Sequence, residues 1–193
     1  MPVDNDGLLD VSLMAKDFPG KDKNGKKMPV FDLVPAAHAR LFDRGAESMR
    51  VYWCKFGTGE TFSVILGTAA EFMFTTKMDG CTFGIGSEAP DGTVLVCHAN
   101  RTGVNAIARA AQMESVTETL GTVTATVSPV NYRDQVTPGR IWGEWRESIR
   151  SATTIGQRIN GHWVFYAQVY KNVGPVSKPD CIFCEIQDST PNL

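Results

Sequence analysis

The sequence predicts an α+β fold: a mostly antiparallel, β-sandwich-like sheet system flanked by a few helices. Three observations carry that prediction. Five short runs rich in branched and aromatic residues follow one another between residues 49 and 97, with connections too short for helical crossovers. One stretch, 102–119, instead repeats its apolar residues at helical spacing. A late run, His162-Trp-Val-Phe-Tyr-Ala-Gln-Val-Tyr170, is the strongest strand candidate in the chain.

A chain of 193 residues with 42% hydrophobic and 21% charged content can bury a core as one domain. A single domain over 1–193 is expected, with 1–30 a loosely packed lead-in and 175–193 a Pro-rich tail. The formal charge of −2 gives no electrostatic reason to expect nucleic acid as a partner. The local cluster Lys21, Lys23, Lys26 and Lys27 reads as a solvated loop. No apolar run approaches the roughly 18–20 residues of a membrane helix. Met1-Pro-Val-Asp-Asn-Asp6 lacks the basic and apolar regions of a cleaved secretory signal. Five cysteines, an odd number, favour a reducing environment with free thiols.

Taken in order, Lys16 to Pro29 is dense in Lys, Asp, Gly and Pro and reads as a surface loop. A short helix is expected from Pro35, since proline suits the first helical turn; His38 on it reads as exposed or partly packed. Strands are expected over 49–56, 61–66, 71–76, 82–86 and 93–97, the last two joined as a hairpin by Glu88-Ala-Pro-Asp-Gly92. The bend Asp79-Gly80 separates the third from the fourth. In 102–119, Val104, Ile107, Ala108, Ala111 and Met113 mark the expected buried stripe, with Thr102 or Asn105 as cap and Gly121 beyond the end. Residues 121–127 alternate with period two, a strand with one polar face. Residues 131–139 read as a loop. In 140–150, Ile141, Trp142, Trp145 and Ile149 fit a helical stripe or a strand about equally.

Chemistry concentrates between Phe72 and Asn100. Cys81 follows Gly80 at a bend, where small neighbours let a substrate approach the backbone. His98 lies one hairpin later, at the end of an apolar run. A histidine in hydrogen-bond reach raises the thiolate fraction of a cysteine and then protonates the leaving group. Backbone N–H groups near Gly80 and Cys81 could hold an oxyanion. The competing reading is plain core, because cysteine is among the most buried residue types. Cys97 should face away from His98 and be core.

The run Phe72-Met-Phe-Thr-Thr-Lys-Met-Asp-Gly-Cys81, a glycine-containing break, then an apolar run into His98, resembles the catalytic segment of the glutamine deamidase toxins typified by the Burkholderia lethal factor. The cytotoxic necrotizing factor catalytic domain is similar more distantly. The resemblance spans about thirty residues. It implies the toxin deamidase fold, with Cys81 as nucleophile, His98 as general base and Thr75 as a third member that orients the imidazole. It implies a hydrolase that turns a host-protein glutamine into glutamate through a thioester, acting as a toxin or effector in virulence. It implies no cofactor and no metal. The implied partner is a host protein, either a translation-factor RNA helicase or a small GTPase, met by a monomer that engages neither nucleic acid nor membrane. A protein of this kind is made in the bacterial cytoplasm without a cleaved signal and acts in the host cytoplasm. Two features depart from the pattern: Met78-Asp79 stands where the family has Leu-Ser, and the spacing to the histidine is longer; the Asp79 carboxylate would raise the thiol pKa unless it points away or is hydrogen-bonded.

Three other functions compete. A papain-like cysteine amidase or peptidase would pair Cys81 with His162, although Thr82-Phe-Gly-Ile-Gly86 is a poor opening for the helix such enzymes place after the cysteine. Cys181-x-x-Cys184 has the spacing of half a zinc site or a redox pair, with His162, Cys97 and His98 as the remaining ligand candidates. A non-catalytic binding domain would use Trp142, Trp145 and Trp163 as surface anchors.

Overall fold

The structure is a computed structural model, and it describes residues 4, 6–15, 20–22, 26–28, 31–42, 47–101, 105–132, 150–172 and 182–188. Its elements, in chain order, begin with strands β1 (Leu8–Ala15), β2 (Gly20–Asp22), β3 (Lys27–Met28) and β4 (Phe31–Pro35), then helix α1 (Ala36–Phe42). Strands β5 (Met49–Cys54), β6 (Thr61–Leu66), β7 (Phe72–Thr75), β8 (Thr82–Glu88) and β9 (Val94–Ala99) follow. Helix α2 (Ala106–Leu120), β10 (Val123–Val127), α3 (Pro129–Tyr132), β11 (Arg150–Ile159), β12 (His162–Asn172) and β13 (Ile182–Asp188) complete the series. The class is α+β, as the sequence predicts.

The strands form two sheets. Nine strands run in the order β3-β2-β13-β12-β11-β7-β5-β1-β4, and four in the order β10-β8-β9-β6. Pairing is antiparallel except at β5–β7 and β13–β2, which are parallel. The exception at β5–β7 corrects the expectation of antiparallel pairing through residues 49–97. The chain leaves the large sheet after β5, adds β6 to the small sheet, and returns as β7 beside β5 in the same direction. The Asp79-Gly80 bend therefore carries the chain from one sheet to the other and closes no hairpin. The β8–β9 hairpin does form. Its turn rests on Gly92 at φ +78°, and the N–H of Ala89 bonds the Thr93 carbonyl.

The main core lies between the sheets. Tyr52, Met73, Trp163 and Phe165 from the large sheet meet Leu66, Phe83, Ile85 and Val96 from the small one. Trp163 stacks with Phe165 and meets Tyr52 edge-on, so it is a core residue and not a surface anchor; Trp142 and Trp145 lie outside the described residues. Leu9, Val11, Val51 and Trp53 make a second cluster, on alternate positions of β1 and β5.

Helix α2 covers the outer face of the small sheet. Asn105 is its N-cap, accepting the Ala108 N–H, and Gly121 closes it at φ +69°. Its buried stripe differs from the expected one. Ala108, Gln112, Ser115 and Val116 face the sheet, while Ile107 is 80% exposed and Met113 is also exposed; Val104 lies outside the described residues. The helix comes close because β8 offers it Gly84, where a Cβ would sit 2.5 Å from a Val116 methyl.

Two segments near the ends of the chain also contribute strands. The lead-in over 1–30 contains β1, which lies between β4 and β5 and buries Leu8, Leu9 and Val11. The tail over 175–193 contains β13, which pairs along β12 from Tyr166↔Asp188 to Asn172↔Ile182. Cys184 is on that strand; Cys181 and residues 140–149 lie outside the described residues. The helix expected near Pro35 is present as α1, with His38 exposed on it.

Candidate functional site

His98 is placed by β9. It is the register partner of Phe62 on β6 and of Phe83 on β8, so the three share one row across the small sheet. Phe83 belongs to the core between the sheets, which puts the imidazole on the inner face. Cys97, one residue earlier, faces the other way and packs with Ala99 and Val116 under α2. Cys81 immediately precedes β8, two positions before Phe83. The pleat thus carries it to the inner face as well, on the cross-strand diagonal from His98. Such diagonal neighbours have Cα atoms roughly 7–8 Å apart, within reach of longer side chains.

Both groups are closed off from water. Cys81 is 4% exposed and His98 is fully buried. Neither ring nitrogen of His98 has a hydrogen-bond partner, so no bond joins it to Cys81 or to Thr75 in this conformation. Burial drives the imidazole pKa down to about 4. Burial also lifts the Cys81 thiol to about 11, and the Asp79 carboxylate pushes in the same direction. Hydrogen bonds from the backbone N–H groups of Asp79 and Gly80 pull the other way without prevailing. At neutral pH the thiol and the imidazole are both uncharged here.

The backbone at Cys81 is clamped from two directions. Tyr132 on α3 donates its hydroxyl to the Cys81 carbonyl at 2.8 Å. Gln112 on α2 donates to the Gly80 carbonyl at 2.8 Å and accepts the Thr82 hydroxyl at 2.7 Å. Met78 adds a third anchor by bonding reciprocally with Ala152 at the start of β11.

Thr75 lies across the interface, on the large sheet. Its hydroxyl accepts the N–H of Thr154 at 3.0 Å, and its register partner on β5 is Cys54. The Cys54 thiol donates in turn to the carbonyl of Phe62, the row neighbour of His98. Thr75 is therefore linked to the imidazole row through Cys54 and Phe62, not by a hydrogen bond of its own. The hydroxyl of Thr154 is also buried without a partner, beside Thr75.

The pairing of Cys81 with His162 is not brought together. His162 is exposed and bonds Glu88 at 2.8 Å, at the opposite end of β8 from Cys81, a strand length of about 20 Å away. Among the described residues, no group of three or more His, Cys, Asp or Glu side chains could hold a metal ion.

Sequence patterns pointed to Cys81, His98 and Thr75 and missed Gln112, Tyr132, Thr154 and Phe56. The Phe56 ring lies 6.0 Å from the imidazole, centroid to centroid. The one available signal was Gln112 itself, a polar residue four positions after Ala108 on the helical stripe. An open cleft of about 630 Å³ is lined by Asp4, Asp6, Trp53, Lys55 and Ile65 among others, and neither Cys81 nor His98 lines it.

No protein-family model matches the chain, and no curated protein matches it in sequence. Among solved structures it is similar to the C-terminal domain of CNFy, a cytotoxic necrotizing factor from Yersinia pseudotuberculosis. The TM-score is 0.38 at 9% identity, over 94% of this chain and 87% of that one. A likeness of that size transfers no role to any residue here.

Proposed function

We propose that the chain is a cysteine-dependent hydrolase of side-chain amides, and specifically a protein-glutamine deamidase with Cys81 as nucleophile and His98 as base. One observation carries the proposal: a fully buried imidazole, both nitrogens unpartnered, on the cross-strand diagonal from a cysteine whose backbone is clamped on both sides. An unsatisfied buried polar atom costs about 1–3 kcal/mol, so two of them on one ring call for a compensating role. Binding a substrate that supplies the missing partners is such a role.

The chemistry follows from the two groups. His98 takes the thiol proton, and the Cys81 sulfur attacks the carboxamide carbon of a glutamine, forming a C–S bond. In this reading backbone N–H groups near Gly80 and Cys81 hold the developing oxyanion. The tetrahedral intermediate collapses with loss of the C–N bond, and the imidazolium gives its proton to the departing ammonia. Water, deprotonated by His98, then attacks the thioester. The C–S bond breaks, leaving glutamate and the free thiol. Thr75 and Thr154 support the site from the opposite sheet as positioning residues. The partner we propose is a folded host protein that presents an accessible glutamine.

The test is incubation of the protein with candidate substrate proteins, small GTPases and RNA-helicase translation factors included, followed by mass spectrometry of their glutamines. Conversion of a defined glutamine to glutamate by the wild type, lost in Cys81→Ala and in His98→Ala, supports the proposal. Identical glutamine spectra from wild type and both variants on every substrate sink it.

A further inference from the structure

We infer that the ring of Phe56 covers the site, and that a substrate carboxamide reaches His98 by displacing that ring; the inference rests on the proposed role of His98. The alternation of β5 continues past its end. Tyr52 and Cys54 face the inter-sheet core, and Phe56 is the next residue of that parity. Its ring lies 6.0 Å from the imidazole at an interplanar angle of 33°, a tilted stack. Phe56 is nevertheless 45% exposed, whereas His98 is wholly buried. One aromatic ring thus has the catalytic imidazole against one side and water on the other.

The turn that carries Phe56 is fastened at its far end by side-chain and backbone bonds, and the Glu60 N–H closes it on the Gly57 carbonyl at 3.2 Å. The guanidinium of Arg101 donates to the Gly59 carbonyl at 2.9 Å and is itself held by the Ser115 hydroxyl at 2.7 Å. The Asn100 N–H bonds the Glu60 carbonyl at 3.0 Å, and Gly59 adopts φ +78°. Gly59, in the left-handed region, lets the backbone turn between Phe56 and that anchor. On the Phe56 side, Lys55 lies over the Phe62 ring at 4.6 Å and the Phe56 ring rests against His98.

Shape and chemistry then disagree at the imidazole, and the disagreement identifies the displacing group. A neutral imidazole presents one N–H donor and one acceptor, and both are unpartnered. The neighbouring phenyl ring can satisfy neither. A primary carboxamide is also planar, and it carries an NH₂ donor and a carbonyl acceptor. Where the ring moves aside, a carboxamide can supply a hydrogen bond to the imidazole that the ring cannot. A carboxylate offers only acceptors and fits less well.

Carbethoxylation by diethylpyrocarbonate near neutral pH, mapped by peptide mass spectrometry, reads access to each of the three histidines. His38 and His162 are exposed and serve as internal references. In the wild type, His98 should react at least about tenfold more slowly than either. Phe56→Ala should raise the His98 rate about tenfold and Phe56→Leu by less, with Phe31→Ala, at an exposed phenylalanine on β4, leaving it unchanged. Propionamide should protect His98 in the Phe56→Ala protein, and propionate should not. If His98 stays protected in both Phe56 variants while the references react, Phe56 is not the cover, whatever the enzymatic activity. If His98 opens but propionamide gives no more protection than propionate, the carboxamide assignment falls, and the deamidase proposal loses its substrate while the cover stands.

Discussion

The side-chain amide of Gln112 donates to the carbonyl of Gly80 at 2.8 Å, across 32 residues of chain, and its oxygen accepts the Thr82 hydroxyl at 2.7 Å. One buried side chain on α2 thereby fixes the residues on either side of Cys81. The bonding is not interchangeable with packing, because the Thr82 hydroxyl it satisfies is buried.

Replacing Gln112 by leucine should show this. The substitution keeps roughly the volume and removes all three hydrogen bonds of the side chain, including a longer one of 3.4 Å to the Arg101 carbonyl, leaving the Gly80 carbonyl and the Thr82 hydroxyl without that partner. At about 1–3 kcal/mol for each orphaned group, the expected loss is about 3 kcal/mol of folding free energy, measured by urea denaturation. Thr82→Val in the Gln112→Leu background should cost less than Thr82→Val alone, since its partner is already gone. Strict additivity of the two substitutions would show that the amide does not hold Thr82.

The elements that were legible in the sequence share a physical trait: their signals are local. The β8–β9 hairpin announces itself through Pro90-Asp-Gly92, and α2 through Asn105 and Gly121 at its two ends. The strands that were missed lack such signals. β11 is largely Thr, Ser, Ala and Gly, and owes its place to ten register pairs with β12. β1 alternates Leu9 and Val11 with the polar Asp10 and Ser12, yet pairing on both edges makes it central. The stripe of α2 was misjudged because the helix approaches β8 over Gly84. Small and polar residues fit there, and the larger Ile107 points into solvent. The site divides in the same way. Cys81 and His98 carry their chemistry in their side chains and can be found by type and spacing. Tyr132 and Gln112 act on Cys81 only because tertiary structure closes chain separations of 51 and 32 residues.

His98 also predicts a dependence of stability on pH. Its pKa is depressed from 6.5 to about 4 by burial. As pH falls below 6.5, the unfolded chain takes up a proton that the folded chain refuses. Stability from this residue is therefore complete above 6.5 and declines through the window from 6.5 to about 4. The total corresponds to about 3 kcal/mol. Below that window the folded chain binds the proton too, and the residue adds no further slope. The check is urea denaturation of wild type and His98→Gln across the window. The wild type should lose more stability than the variant, which cannot titrate at that position. Parallel pH profiles for the two proteins would mean that the imidazole is not held neutral by burial.

Gly84 tests whether the close seat of α2 matters to the site. An added Cβ at this position would lie 2.5 Å from Cγ1 of Val116, 2.9 Å from Cδ1 of Leu120 and 3.1 Å from the Cys97 sulfur. Three side-chain contacts from two elements crowd the methyl group, and either those side chains re-pack or the helix lifts. Overpacking of this kind costs about 1–3 kcal/mol, so Gly84→Ala should lower the urea midpoint accordingly. The same helix carries Gln112, and a lifted α2 stretches the bond to Gly80. Hydrogen exchange at the amides around Cys81 should therefore quicken in Gly84→Ala beyond the change set by global stability alone. Val116→Ala removes the nearest obstruction. Combined with Gly84→Ala it should give a protein more stable than the sum of the two single losses predicts, and it should restore the slower exchange at Cys81. If Gly84→Ala is neutral, or if it destabilises without touching exchange near Cys81, then the fit between helix and sheet supports the fold but not the clamp on the nucleophile.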